Sequence, residues 1–127
     1  MKPNVQVLNQ RTKLATDLRK AQQIWETIQA VPEGCVASYG QIADLAGLPG
    51  RARLVGKVLR EAPDWMNLPW YRIIRSSGQL AFNAGSSQAE KQKGLLQEEG
   101  VVVLNNRVNM KKFAWSPDLG QLLNMSF

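Results

Sequence analysis

The chain has 127 residues, 44% apolar and 20% charged, with 16 basic and 10 acidic residues giving a net charge of +6. That suits one domain with its own core and an anionic partner, nucleic acid first, and no apolar run reaches the roughly 20 residues of a membrane span. There is no histidine and a single cysteine, Cys35, which excludes imidazole chemistry, an internal disulfide and a Cys/His metal site.

The first residues lack the apolar stretch of a signal peptide, so a cytoplasmic protein is expected, nucleoid-associated if bacterial. Residues 1–15 are polar and unpatterned and read as a flexible arm or the fraying start of a helix. A helix is expected from about Thr16, because Ala21, Ile24, Trp25, Ile28 and Val31 recur at helical spacing before Pro32-Glu33-Gly34 stops it. Cys35-Val36-Ala37 follows as a short extended link, with Cys35 a small buried or half-buried thiol. Ser38 and Gln41 form an S-x-x-Q capping box opening a second helix, which Gly47 stops. The turn Leu48-Pro49-Gly50 leads to a third helix over about Arg51–Glu61, and the two make a helix-turn-helix. The glycines of that turn do not form a phosphate-cradling loop, and no cofactor is expected.

On the third helix Ala52, Val55 and Leu59 fall together and are expected to face the core, while Arg53, Lys57 and Arg60 form a separate basic stripe. Such a stripe is either a solvated surface or a face laid against phosphates. Ala52 and Gly56 beside it favour the second, because small residues allow close approach and an interior glycine costs about 1 kcal/mol relative to alanine.

Next, Ala62–Asn67 reads as a loop, and Leu68-Pro69-Trp70-Tyr71 sets two aromatic rings at a rigid corner before a strand through Ile73-Ile74. Arg75–Gly78 is a turn and Gln79–Gly85 a loop. Ser87 and Glu90 suggest another capping box, opening a helix that ends at Gly100 with Leu95 and Leu96 buried. Val101–Leu104, Asn105-Asn106 and Arg107–Met110 read as a hairpin. The domain is expected to span 16–117, with 118–127 a poorly ordered tail.

The succession S-Y-G-Q-I-A, A-R-x-V-G, P-W-x-R-[VI]-I and a helix ending E-E-G-V resembles the alkyltransferase-like proteins, themselves similar to the C-terminal domain of DNA O6-alkylguanine alkyltransferases. The likeness covers roughly Ala21 to Trp115. It implies a mixed α/β, mostly helical, winged-helix-like DNA-binding domain with a helix-turn-helix and small strands. In the alkyltransferases the corner reads Pro-Cys-His-Arg and the cysteine accepts the alkyl group; in the alkyltransferase-like family tryptophan usually replaces it, as Trp70 does here. The resemblance implies that Tyr39 presses on a phosphate and helps rotate the damaged nucleotide out, and that Arg53 enters the vacated stack. Ala52 and Gly56 would lie against the duplex, Trp70 would line the base pocket, and Asn83 and its neighbours would form its far wall. Lys57 and Arg60 complete the basic face. Tyr71 departs from the family, which commonly keeps histidine there. The implied protein is a non-enzymatic, monomeric sensor that binds O6-alkylguanine in duplex DNA and flags it for nucleotide excision repair proteins. The rival readings are a sequence-specific helix-turn-helix regulator, which would ordinarily be a dimer, and an enzyme that uses Cys35.

Overall fold

The helical spacing of Ala21 to Val31 is realised in α1, which spans Val5–Ala30. The computed structural model describes residues 5–125 and Phe127, with side chains from Lys13 onward. The helix therefore begins well before Thr16, and only residues 1–4 of the expected arm lie outside the described residues. Residues 5–20 contain neither glycine nor proline, so backbone propensity sustains a helix where apolar spacing gives no signal.

Ser38 caps α2 (Tyr39–Leu45), its side chain accepting from the Gln41 amide. Only half of the expected box forms, because the Gln41 side chain instead donates to the Trp115 carbonyl (2.8 Å) and ties the helix to the distant chain end. Gly47 follows in the left-handed region, and α3 spans Ala52–Arg60. Val55 and Val58 are the buried residues of α3. Ala52 and Leu59, expected inside, are half-buried. Val55 and Val58 pack with α1 in the first core, and Trp25 joins them there, its Nε1 donating to the Val58 carbonyl (2.8 Å).

Two short parallel strands, β1 (Ala37–Ser38) and β2 (Ile73–Ile74), pair Ala37 with Ile73 and Ser38 with Ile74. A bridge from Val36 to Ala114 extends the arrangement. This pairing positions the site: it lays the start of α2 beside the residues leading into β2. A first core packs α1, α2 and α3 around Ile24, Ile28, Ile42 and Val55. A second gathers Ile74, Leu80, Leu96, Val101 and Val108 around α4 (Ser87–Glu98) and the hairpin.

Ser86, not Ser87, caps α4, accepting from the Ala89 amide (3.1 Å). Of the expected buried pair, Leu96 is buried and Leu95 half-buried. The hairpin β3 (Val103–Leu104) and β4 (Arg107–Val108) forms with Asn105 and Asn106 both at positive φ, as a tight twisted turn requires. Gly78 (φ +91°) packs against it so closely that a Cβ would lie 2.5 Å from the Val108 carbonyl oxygen, so only glycine fits. Met110, expected at the end of the hairpin, instead begins α5 (Met110–Phe113), with Asn109 as its cap. The expected tail contains α6 (Leu119–Asn124), closed by a capping box between Asp118 and Gln121, and Met125 packs on the first core. Ser126 lies outside the described residues.

Candidate nucleic-acid interface

The aromatic corner is built by the backbone. Pro69 sits at φ −76° and ψ 63° with the Trp70 amide donating to the Leu68 carbonyl (2.8 Å), an inverse γ-turn that proline's fixed φ favours. A single 3₁₀ turn over Trp70–Arg72 then feeds into β2. Trp70 meets Tyr71 edge to face (5.9 Å between ring centroids, 88°) and Phe82 likewise (6.2 Å, 77°).

Trp70, Tyr39, Gly56, Leu59, Arg60, Ala81 and Phe82 enclose a hollow of about 290 Å³. Trp70 also walls a second, more polar hollow of about 490 Å³ beside Tyr71, Asp64 and Asn67. The structure thus brings Tyr39, Gly56, Arg60 and Trp70 together, from three stretches the sequence keeps apart: the start of α2, α3 and the corner. Gly56 is where the Tyr39 ring and Arg60 approach: a Cβ there would stand 3.4 Å from an Arg60 guanidinium nitrogen and 3.8 Å from the Tyr39 ring. Burial pushes the Tyr39 phenol above its usual 10.0, against the opposing pull of Arg60 and Arg75. The ring therefore presents a neutral hydroxyl at physiological pH.

Ala52, Arg53 and Lys57 lie outside this hollow. They line a shallower depression with Gly50, Arg51 and Leu54, and the side chains of Arg53, Lys57 and Arg60 are all exposed. Asn83 is exposed and lines neither hollow; its carbonyl accepts from the Ser86 amide (3.1 Å) and hydroxyl (2.7 Å), closing the turn into α4. Its neighbours Ala81 and Phe82 form the far wall instead.

Tyr71 turns its hydroxyl away from Trp70 and donates to Glu99 Oε1 (2.8 Å). Glu99 also accepts from the Gly34 amide (3.0 Å) and forms an ion pair with Arg72, whose Nη1 donates to the Val31 carbonyl (2.8 Å). Burial acts to raise the Glu99 carboxyl, but the bonds from Arg72, Gly34 and Tyr71 outweigh it and hold it below its usual 4.5. Burial and the bond to Glu99 raise the Tyr71 phenol. A second buried clamp is Gln92: its Oε1 accepts from the Ala81 amide (3.1 Å), and its Nε2 donates to the carbonyls of Tyr71 (3.1 Å) and Ile73 (3.2 Å). Gln92 therefore joins two walls of the hollow, the corner and the Ala81–Phe82 loop.

The sequence reading missed Gln92, which carried no local signal, and reached Phe82 only as an unnamed neighbour of Asn83. Cys35 packs half-buried against the first core and lines neither hollow. Among the described residues no helix is long and apolar enough to cross a membrane.

Residues 19–101 match the family described as 6-O-methylguanine DNA methyltransferase, DNA binding domain. The chain is 40% identical over 96 residues to a DNA base-flipping protein of Vibrio parahaemolyticus, covering 75% of this chain and 94% of that one. It is 30% identical over 100 residues to alkyltransferase-like protein 1 of Schizosaccharomyces pombe, covering 75% and 93%. The fold matches the crystal structure of S. pombe Atl1 in complex with damaged DNA containing O6-carboxymethylguanine, with a TM-score of 0.70 and 29% identity over 77% of this chain and 95% of that one. With Trp70 standing where the enzymes carry their acceptor cysteine, the chain belongs to the family of the 6-O-methylguanine DNA methyltransferase DNA-binding domain, as one of its alkyltransferase-like members.

Proposed function

We propose that this protein is a non-enzymatic sensor of O6-alkylguanine in duplex DNA. It binds the duplex through α3, turns the alkylated base out of the stack, holds it in the aromatic hollow and leaves it unreacted for nucleotide excision repair proteins. The observation that carries this reading is Trp70, an indole in the wall of the hollow where alkyl acceptance needs a thiolate. The hollow, at about 290 Å³, falls at the small end of ligand sites, which run from about 300 to 1,000 Å³.

The roles are those the resemblance implies, and the placement of the residues is compatible with them. Arg53, Lys57 and Arg60 project from one helix into solvent, free to neutralise phosphates. Extrusion of a base costs a few kcal/mol, less when its pair is already weakened. Tyr39, at the hollow's mouth beside Gly56, pushes the nucleotide, and Arg53 fills the vacancy. Trp70 and Phe82 receive the base. Asn83, next to Phe82, meets the DNA at the outer edge of this wall rather than in the pocket. Ala52 and Gly56 keep α3 close to the duplex. Tyr71, its hydroxyl engaged with Glu99, shapes the corner and cannot act as the base a transfer would require. The relatives named for base flipping and the structure with damaged DNA support this ligand class. The protein acts as a cytoplasmic monomer without a cofactor.

Intact-protein mass spectrometry after incubation with duplex carrying one O6-methylguanine tests the non-enzymatic part. The unmodified mass should persist while the duplex stays bound. A methyl adduct on Cys35 or elsewhere would make the protein an enzyme and overturn the reading.

A further inference from the structure

The family match begins at residue 19, yet α1 is helical from Val5. The earlier turns do not stand clear of the proposed DNA face. Trp25 pins α1 to Val58, and from there a groove of about 530 Å³ runs between α1 and α3. Its lining includes four cations, Lys13 and Lys20 from α1 with Arg51 and Lys57 from the α3 side, against two carboxylates, Asp17 and Glu61. Arg51 and Lys57 also line the depression that holds Arg53, so groove and DNA face are continuous. Leu14 and Leu18 line the same groove and are 69% and 54% exposed.

We propose that the amino-terminal half of α1 is a second DNA-contacting element, and that the groove takes the sugar-phosphate backbone of one strand beside the lesion. This rests on the reading of α3 as the DNA-binding helix. Lys13 and Lys20 meet phosphates, and Leu14 and Leu18 lie against the apolar faces of the sugars. From Leu18 back to Val5 the helix reaches about 20 Å at roughly 1.5 Å per residue, the length of about six base steps at roughly 3.4 Å each. The element lengthens the footprint without touching the flipped base, so it adds affinity and no lesion preference.

The test compares duplexes of roughly 12 and 24 base pairs, each with a central O6-methylguanine; at about 3.4 Å per step only the longer runs beneath all of α1. Wild type should bind the longer duplex more tightly, with a log-log salt slope steeper by about 2, near 0.9 per phosphate. The double variant Lys13→Gln with Lys20→Gln keeps good helix formers. It should lose that excess, about tenfold in affinity near 0.1 M salt, and match wild type on the short duplex, which also shows that it folds. Asp17→Asn should strengthen binding to the longer duplex only. Equal binding of the double variant and wild type to the longer duplex would overturn the proposal, as would an equal loss on both lengths. If wild type prefers the lesion but ignores length, the α1 contact alone is wrong; if it shows no lesion preference on either duplex, the sensor reading fails and takes the α1 contact with it.

Discussion

The walls of the aromatic hollow and the basic face of α3 meet at Gly56 and are built in opposite ways. Behind the hollow the corner is held by paired polar groups: Tyr71 and Arg72 converge on Glu99, and Gln92 makes three bonds to backbone groups. On the basic face Arg53, Lys57 and Arg60 are exposed, and the described ion pair is elsewhere, between Arg72 and Glu99. The first region is ordered before any ligand arrives, so it can select by shape. The second keeps its charge free and can bind any duplex at a cost in salt sensitivity. Discrimination therefore rests on the hollow together with Arg53, and general duplex affinity on Lys57 and Arg60.

The largest expected effect comes from unpinning the hollow. Glu99→Ala leaves the Arg72 guanidinium, only 15% exposed, without its carboxylate. Removing one partner of a buried pair costs about 3–5 kcal/mol. Thermal or urea unfolding should show that loss, and lesion binding should fall with it. The same carboxylate predicts an acid limb. Its folded pKa lies below the usual 4.5, so its contribution is fully present above that value and is lost as pH falls through the lower folded one. In Glu99→Gln that part of the acid dependence should vanish, as urea midpoints measured across the acidic range would reveal.

A smaller effect separates two roles within the basic face. Arg53→Ala should weaken lesion binding by about tenfold, or about 1.4 kcal/mol, and undamaged binding much less, because the vacancy it fills exists only after flipping. Lys57→Gln should weaken both duplexes alike and lower the salt slope by about 0.9. Competition titrations on matched duplexes distinguish the two outcomes. A uniform loss in Arg53→Ala would place Arg53 with Lys57 as a phosphate contact.

The same contrast explains what the sequence revealed. The basic stripe was legible because exposure leaves charge at helical spacing undisturbed, and Ser38 was legible because a cap is a local event. The hollow was only partly so. Tyr39 and Trp70 meet through two strands of two residues each in parallel pairing, a long-range contact with no local pattern. Gln92 sits in a helix rich in glutamine and lysine and is distinguished only by the chain folded over it. Ser87 with Glu90 fits the box signature, yet Ser86 caps the helix through its side chain alone, which a spacing rule for the box does not detect. The early start of α1 escaped notice because residues 5–15 show no apolar period in the sequence. At the far end the box between Asp118 and Gln121 is a local signal that the reading of 118–127 as a tail passed over.

The division of labour is tested most directly by the affinity of wild type for two matched duplexes, one with a single O6-methylguanine, measured across a range of salt concentrations. The account predicts two parallel lines of log affinity against log salt. Their shared slope comes from the phosphates met by the basic face, and their constant separation from the flipped base, which the aromatic walls and Arg53 accommodate without meeting a further phosphate. Coincident lines, or a separation that closes as salt rises, would contradict it.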